Sequence, residues 1–250
     1  MSKLSIALCS DFRILRTPAL FKSSDVIVFP ELVDGGYRSV YTGKSLRRLD
    51  DPLIAELKTL TRNGSHYLIA GSLFLRKGSS SLNSSLVFHG GALIHRYDKV
   101  HLFRPARDHK FFSPGKRAGV FSIRSRSALV KAGIAICYDL RFPELIRSMA
   151  AQGMRLLLVP ARWPRIRDDA WYTLLKARAL ENQAFVVGCN AKGSEGGYSY
   201  AFDPNGKLLF NGKTWRGKGV ARVVLDLNQL ATSRRLHDNL REARLLREPA

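Results

Sequence analysis

The stretch DVIVFPE, residues 25–31, decides the fold, because it is an unbroken apolar run that stops at Pro30 and Glu31. A second stretch, RLLLVPA at 155–161, has the same form. Apolar runs of this length without alternation are typical of strands in the middle of a sheet that is covered on both faces. Polar residues just past such strands lie where open α/β sheets place their functional sites. The pattern predicts a helix-covered sheet with Glu31 at its edge, facing a cleft.

Helix and strand signals interleave around these two stretches. An acidic cap and a proline in the first turn predict a helix over 52–61, and similar signals predict helices over 143–153 and 168–182. The Gly- and Ser-rich stretch 78–85 is interpreted as a flexible lead-in to a hairpin. The remaining strands are predicted at 4–8, 67–74, 84–88, 93–97, 128–136, 185–190, 198–202, 207–210 and 219–225. Because no linker interrupts the pattern, we predict an α/β fold with one domain, 1–250, and a basic tail from about 228.

The charge balance is strongly basic, with 41 Lys and Arg against 20 Asp and Glu and a formal net charge of +21. Such a charge attracts polyanions. However, the positive residues are spread along the whole chain, and no zinc-finger, helix-turn-helix or RNA-binding motif accompanies them. We therefore expect a solvated basic surface that binds nucleic acid only nonspecifically, at low salt.

Apolar segments exclude a membrane-spanning helix, because none approaches the roughly 20 residues that a bilayer requires. Near the N-terminus the apolar run 4–9 is about six residues long, against the roughly 7–15 of a signal peptide. Asp11 then interrupts it. The sequence therefore predicts a cytoplasmic protein without a membrane partner.

Three cysteines occur, in spacings that fit neither a disulfide framework nor a metal site. Cys9 and Cys189 lie in apolar strands and are interpreted as small buried hydrophobic residues. Cys137 differs, because it ends the predicted strand 128–136 and begins the polar string CYDLRFPE, 137–144. A thiol at such a corner lies near backbone N–H groups, which favour a thiolate and can stabilise an oxyanion. Cys137 is therefore the candidate nucleophile.

A cysteine nucleophile needs a base, which is usually histidine. None of the six histidines lies in a papain-like signature, so a Cys–His protease is poorly supported. The carboxylate of Glu31 and the amine of Lys99, which follows the strand 93–97, are the remaining candidates. Taken alone, Lys99 is better explained as a solvated surface lysine, and Glu31 can be read as a loop carboxylate.

Six sequence blocks resemble the nitrilase superfamily of carbon–nitrogen hydrolases, in the family's order and over nearly the whole chain. The three signature blocks are Pro30–Glu31, YDKVHLF at 97–103 and CYDLRFPE at 137–144. The others are SPG at 113–115, Trp171 with ARALENQ at 177–183, and DPNG at 203–206. The resemblance implies a four-layer α-β-β-α sandwich that assembles as a homodimer or larger homo-oligomer. It implies no cofactor and no metal.

The resemblance also implies roles for individual residues. Cys137 is expected to attack the amide carbon, and Glu31 is expected to take the thiol proton and later activate water. Lys99 is expected to stabilise the oxyanion together with the backbone N–H of Tyr138, a contribution on the order of 3 kcal/mol for a comparable donor.

Two positions depart from the family pattern. Family members carry a second glutamate where this chain has Asp108, which is one methylene shorter and is expected to reach Lys99 through water or to bind a shifted lysine. His109 is an alternative polar contact there, or a structural hydrogen-bonding residue. Between Leu8 and Asp25 there is room for only a short helix.

The string CYDLRFPE resembles the omega-amidase branch, which deamidates 2-oxo acid amides such as 2-oxoglutaramate and 2-oxosuccinamate. Arg141 is the candidate for binding the substrate carboxylate, since guanidinium and carboxylate pair bidentately. Equally, Arg141 could hold Glu144 or Asp139 in place. Aromatic residues that could wall a narrow pocket, or belong to the core, are Tyr37, Tyr138, Phe142 and Trp163.

Other functions are compatible with the same blocks. Within enzymes, the chain could be a nitrilase, an N-carbamoyl hydrolase or an amidase of deaminated glutathione. Outside enzymes, it could be an inactive family member that binds nucleic acid through its basic surface. Asp108 is the residue that favours this last reading.

Overall fold

Two β-sheets stack face to face, and helices cover their outer sides. The computed structural model describes residues 2–16, 24–125, 129–217, 219–235 and 237–243. The strands are β1 (Lys3–Cys9), β2 (Val26–Val28), β3 (Leu46–Arg47), β4 (Tyr67–Ile69), β5 (Leu73–Lys77), β6 (Ser80–His89), β7 (Ala92–Asp98), β8 (Val120–Arg124), β9 (Leu129–Ile134), β10 (Leu156–Ala161), β11 (Phe185–Asn190), β12 (Tyr200–Phe202), β13 (Leu208–Asn211) and β14 (Val220–Asp226). The α-helices are α1 (Gly36–Tyr41), α2 (Pro52–Arg62), α3 (Asp108–Phe111), α4 (Pro143–Ala151), α5 (Asp168–Asn182), α6 (Gln229–Thr232) and α7 (Asn239–Glu242).

Strand order places the two predicted central strands inside their sheets. The first sheet has the order β14-β1-β2-β4-β6-β5-β3, with β7 also paired to β6. The second has the order β13-β12-β11-β10-β9-β8. β1, β2 and β4 run parallel, as do β9, β10 and β11. The carboxyl ends of these parallel strands meet at one edge of each sheet, where open α/β folds place their sites.

Side-chain alternation along β1 shows why the layers form. Leu4, Ile6 and Leu8 share one apolar cluster with the strands of the second sheet. Ala7 and Cys9, on the other face, share a cluster with α2. The second sheet is covered in the same way by α4 and α5. Burial on both faces of both sheets gives four layers and confirms the predicted α-β-β-α sandwich.

The strand predicted over 67–74 is interrupted, and the interruption supports the segment that carries Glu31. Gly71 has φ +53°, and a Cβ atom there would lie 1.9 Å from the carbonyl oxygen of Pro30. The following Ser72 donates its backbone N–H to Pro30 O (3.3 Å), and its Oγ accepts from Leu32 N (2.9 Å). Glycine is needed here because L residues avoid this backbone region and no space exists for a side chain.

The stretch predicted as a flexible lead-in, 78–85, is instead a tight hairpin. Gly78 forms the turn with φ +59°, and β6 begins at Ser80. Asn83, Ser84 and Ser85 are buried in the middle of the sheet. Small polar side chains in this stretch indicate buried hydrogen-bonding groups rather than mobility, and the flexible assignment is wrong.

The two ends of the chain pack in different ways. After β1 a short 3₁₀ helix, Phe12–Arg16, matches the expected shortening near the N-terminus; residues 17–23 lie outside the described ranges. In the described part of the basic segment from 228, the chain packs against the end of α5, where Gln183 donates Nε2–H to the carbonyls of Ser233 (2.8 Å) and His237 (3.0 Å). Among the helices of the described ranges, none has the length and apolar character to span a bilayer.

Gly71→Ala is expected to lower the free energy of unfolding by about 2–4 kcal/mol, since it adds left-handed strain and a clash with the chain at Pro30. Urea unfolding monitored by circular dichroism measures this change. Gly78→Ala is the matched control: its φ is also positive, but a Cβ meets nothing within 4 Å. Gly78→Ala should lower the free energy of unfolding by only about 1–2 kcal/mol. Equal costs for the two variants would contradict the role assigned to Gly71.

Candidate active site

Glu31 lies just past β2, and its carboxylate is fully buried. Its Oε1 accepts hydrogen bonds from Lys99 Nζ (2.8 Å) and Asn83 Nδ2 (2.9 Å). Its Oε2 accepts from the backbone N–H of Arg162 (3.1 Å), at the end of β10. Tyr37 OH adds a long contact of 3.5 Å to Oε1. Donors from several elements therefore fix both oxygens of this carboxylate.

Lys99 follows β7 and forms a second buried ion pair, with Asp108 Oδ2 at 2.9 Å. Its side chain is 0% exposed, as are those of Glu31 and Asp108. Burial by itself lowers the pKa of Lys99, but the negative charges of Glu31 and Asp108 outweigh it, so that the pKa lies well above its ordinary value. Lys99 is therefore a fixed cation at neutral pH.

Asp108 reaches Lys99 directly, without the bridging water that its shorter side chain suggested. Arg107 has φ +57° and begins the short helix α3 with Asp108, which brings the carboxylate close to Lys99. Asp108 Oδ2 also accepts from the backbone N–H of Phe103 (2.9 Å). Its other oxygen, Oδ1, is buried and has no hydrogen-bond partner among the described residues. A shorter acid therefore retains the ion pair and keeps one free acceptor.

Cys137 is the first residue of a 3₁₀ helix, Cys137–Arg141, and has φ +48°. This backbone region is strained for a residue with a side chain and is concentrated at functional sites. Its thiol lies near the carboxylate of Glu31 and the ammonium group of Lys99, and both charges act on it. The predicted convergence of these three side chains is observed.

The predicted thiolate, in contrast, is wrong for the resting site. Burial and, after it, the negative charge of Glu31 raise the pKa of Cys137 well above its ordinary value, and the positive charge of Lys99 only partly opposes them. Desolvation outweighs the nearby cation because Lys99 is already neutralised by two carboxylates. The resting thiol is therefore protonated and lies near a carboxylate.

Asp139 connects the segment around Lys99, residues 97–101, to the turn that begins at Cys137. This role was not predicted from the sequence. Its Oδ2 accepts from Tyr97 OH (2.7 Å) and from the backbone N–H of Ile136 (3.0 Å). Its Oδ1 accepts from the backbone N–H of His101 (2.8 Å). These bonds fix the ends of β7 and β9 relative to each other. Tyr97 and Asp139 lie in the blocks YDKVHLF and CYDLRFPE, and this position was the only sign in the sequence of their role.

A cavity of about 280 Å³ opens beside Cys137, whose own exposure is 8%. Its volume is at the small end of ligand pockets. The predicted contacts that line it are Tyr37, Tyr138, Arg141 and Trp163. Lining residues without a predicted role are Tyr41, Phe103, Ala106, Arg162, Pro164, Arg167, Ser194 and Glu195.

Two predicted contacts lie elsewhere. Phe142 stacks on His101 with ring centroids 3.5 Å apart, so its ring packs against the lysine segment rather than facing the cavity. His109 is exposed on α3, on the side away from the buried Asp108. The structure therefore does not bring Phe142 or His109 to the cavity, because helical geometry and ring stacking direct them away.

Three arginines line the cavity, Arg141, Arg162 and Arg167, and the first two differ in their partners. Arg162 is fully engaged, since Nε donates to Glu31 O (2.8 Å), Nη2 donates to Leu32 O (3.0 Å) and Nη1 pairs with Glu195 (3.1 Å). Arg141 lies over the ring of Trp163 at 5.0 Å. In the described part of the chain it makes no ion pair, and Asp139, its suggested partner, is held by other donors. Arg141 is therefore available to a ligand.

The other two cysteines are buried in strands, as predicted. Cys189 Sγ donates to the carbonyls of Val28 (3.3 Å) and Cys9 (3.4 Å) across the two sheets. Burial, with a smaller contribution from Asp11, raises the pKa of Cys9 to about 12. Neither thiol has access to the cavity beside Cys137.

Sequence comparisons match the chain to one family. The family described as Carbon-nitrogen hydrolase matches residues 12–235. A 2-oxoglutaramate amidase of Bacillus subtilis (strain 168) is 37% identical over 227 residues, which cover 85% of this chain and 82% of the relative. Omega-amidase YafV of Escherichia coli (strain K12) is 37% identical over 191 residues, covering 74% of this chain and 71% of the relative.

Solved structures share the fold. XC1258 of Xanthomonas campestris, a CN-hydrolase superfamily protein, superposes with a TM-score of 0.84 at 23% identity over 100% of both chains. Nit3 of Saccharomyces cerevisiae, a member of the nitrilase superfamily, gives 0.76 at 23% identity over 94% of both chains. The fold and the family match therefore agree with the sequence blocks: the chain belongs to the carbon–nitrogen hydrolase family.

Proposed function

We propose that the protein hydrolyses the ω-amide of a small 2-oxo acid, releasing ammonia, with Cys137, Glu31 and Lys99 as its catalytic residues. The single observation that carries this proposal is the buried Glu31–Lys99–Asp108 ion-pair chain in contact with the thiol of Cys137. A charged network of this kind has no structural need that apolar residues could not meet, since buried ion pairs add little to stability.

In the first half-reaction, Glu31 takes the thiol proton as Sγ of Cys137 attacks the amide carbon. The electron pair of the carbonyl moves to its oxygen, where Lys99 Nζ and the backbone N–H of Tyr138 stabilise the negative charge. The unpartnered Oδ1 of Asp108 accepts a hydrogen bond from the amide nitrogen. Glu31 returns its proton to that nitrogen, the oxyanion re-forms the carbonyl, and the C–N bond breaks. Ammonia departs, and the acyl group remains on Cys137 as a thioester.

In the second half-reaction, Glu31 removes a proton from water, and the oxygen attacks the thioester carbon. The same donors stabilise the second oxyanion. When the C–S bond breaks, the proton on Glu31 passes to sulfur, which restores the resting thiol and releases the carboxylic acid. A neutral resting thiol suits this cycle, since the carboxylate of Glu31 lies near it and can take its proton as sulfur attacks.

The substrate class follows from the cavity and from the relatives. A cavity of about 280 Å³ admits a small molecule, and the unpaired guanidinium of Arg141 supplies a carboxylate site. Relatives with 37% identity are a 2-oxoglutaramate amidase and an omega-amidase. These features support 2-oxoglutaramate or 2-oxosuccinamate over a bulkier deaminated tripeptide. The direct ion pair of Asp108 removes the reason for reading the chain as an inactive binding module.

Cys137→Ala is expected to abolish ammonia release from 2-oxoglutaramate, and Glu31→Gln is expected to reduce kcat by about 10²–10⁴-fold, the contribution of a positioned general base. A coupled ammonia assay measures both. Cys189→Ser, which also removes a buried thiol but lies away from the cavity, should keep kcat within about threefold. If wild-type protein released ammonia only from a nitrile, an N-carbamoyl amine or deaminated glutathione, the substrate assignment would be wrong.

The rate at which methyl methanethiosulfonate modifies Cys137 is expected to rise with pH to a midpoint above 9.0, the ordinary thiol value, because burial and Glu31 raise the pKa of Cys137. Glu31→Gln removes a negative charge that disfavours the thiolate, so the midpoint should shift to lower pH. The same variant therefore has a more acidic thiol and a slower amidase reaction. An unchanged or higher midpoint would show that Glu31 does not contact the thiol.

Arg141→Met is expected to raise KM for 2-oxoglutaramate by about 10–100-fold, the loss of hydrogen bonds to a charged group. An uncharged aliphatic amide of similar length has no carboxylate for Arg141 to bind. For that substrate, kcat/KM of the variant should change by less than about threefold. Steady-state kinetics on both substrates measure this difference. Equal losses on the two amides would assign Arg141 a structural role instead.

A further inference from the structure

A second guanidinium in the cavity, that of Arg167, is not used by the proposed mechanism. Arg167 ends the 3₁₀ helix Arg165–Arg167, and its carbonyl accepts a hydrogen bond from Nε1 of Trp163 (2.8 Å). Its side chain lines the cavity and lies over the ring of Phe103 at 5.2 Å. Among the residues that the structure describes, none forms an ion pair with it. The backbone of Arg167 is therefore fixed, while the N–H donors of its guanidinium group stay available.

We propose that Arg167 is a substrate-specificity residue that donates hydrogen bonds to the 2-oxo oxygen of the substrate, beside the carboxylate bound by Arg141. This inference rests on the function proposed above. A guanidinium group offers five donors and no acceptor. Arg141 and Arg167 line one cavity and both approach Trp163, one over its ring and one through its backbone. Such a pair requires a ligand end that consists of acceptors only.

The end of a 2-oxo acid meets this requirement, because its carboxylate and adjacent carbonyl present three acceptor oxygens and no donor. Glutamine, the corresponding ω-amide of a 2-amino acid, carries an ammonium group where the 2-oxo acid has its carbonyl. This group has donors only and a positive charge. Arg167 would repel that group, because both carry a positive charge. Arg167 therefore selects the 2-oxo acid and rejects the 2-amino acid.

The distribution of charge in the cavity orients the same ligand. Behind Cys137, the buried carboxylates of Glu31 and Asp108 exceed the single positive charge of Lys99. In the remaining lining, Glu195 neutralises Arg162, which leaves the two positive charges of Arg141 and Arg167. A molecule with an anionic end and a neutral amide is therefore held with its amide toward Cys137.

The test compares Arg167→Met with Arg165→Met. Both residues are exposed, belong to the same 3₁₀ helix and lie over an aromatic ring, Phe103 and Tyr198 respectively, but only Arg167 lines this cavity. Arg167→Met should lower kcat/KM for 2-oxoglutaramate by about 10–100-fold, mainly through KM, and for glutaramate, which lacks the 2-oxo group, by less than about threefold. The preference for 2-oxoglutaramate over glutamine should fall correspondingly, and Arg165→Met should leave all three values within about twofold of wild type.

A binding measurement separates this inference from the proposed function. Calorimetry on Cys137→Ala protein should show tighter binding of 2-oxoglutarate than of glutarate, and Arg167→Met in that background should remove the difference. If wild-type protein hydrolysed no ω-amide but this difference was present, only the catalytic proposal would fail. If 2-oxoglutarate and glutarate bound equally, or if Arg165→Met matched Arg167→Met in either experiment, the role of Arg167 would be overturned.

Discussion

The site depends on one constraint: Lys99 must hold its positive charge in a position where its side chain is 0% exposed. Removing a charge from water costs several kcal/mol, which a single partner seldom offsets. Here two carboxylates share the ammonium group, at 2.8 Å and 2.9 Å. Those carboxylates also accept hydrogen bonds from Asn83 and from the backbone N–H groups of Arg162 and Phe103, and Oδ1 of Asp108 is left without a partner among the described residues. The network is stable only as a complete set, so its geometry is rigid.

This rigidity determines the state of the nucleophile. The positive charge of Lys99 only partly opposes the effects of burial and of Glu31, so the thiol of Cys137 stays protonated. The proton therefore leaves only when a substrate carbon is available to accept the electron pair from sulfur. A buried thiol with an adjacent carboxylate is also protected from oxidation, which acts on exposed thiolates. The expectation of a resting thiolate failed because it considered the backbone donors around Cys137 without the burial of the thiol, which is the larger cause of its raised pKa, ahead of the charge of Glu31.

Local patterns predicted the parts of the site that follow strands. Glu31, Lys99 and Cys137 each lie just past an apolar strand, and the strands themselves were read from hydrophobicity and turn residues. Asn83 was missed, because a polar stretch of Ser, Asn and Gly reads as a mobile turn unless its partner is known. Arg162 was missed for a related reason: its carboxylate partner, Glu31, is 131 residues away. Long-range polar pairs leave no periodic signal in one sequence, and neither does the break at Gly71.

Chemistry and specificity are placed in physically different surroundings. The reacting groups are buried and mutually dependent, so a change at Glu31, Lys99 or Asp108 leaves a charge unpaired and destabilises the fold. Arg141 and Arg167 instead lie on two short 3₁₀ helices, are exposed, and contact the protein mainly through stacking on aromatic rings. Substitution there costs little stability. Under the proposed function, a change confined to these two segments alters which amide is selected and leaves the buried residues in place.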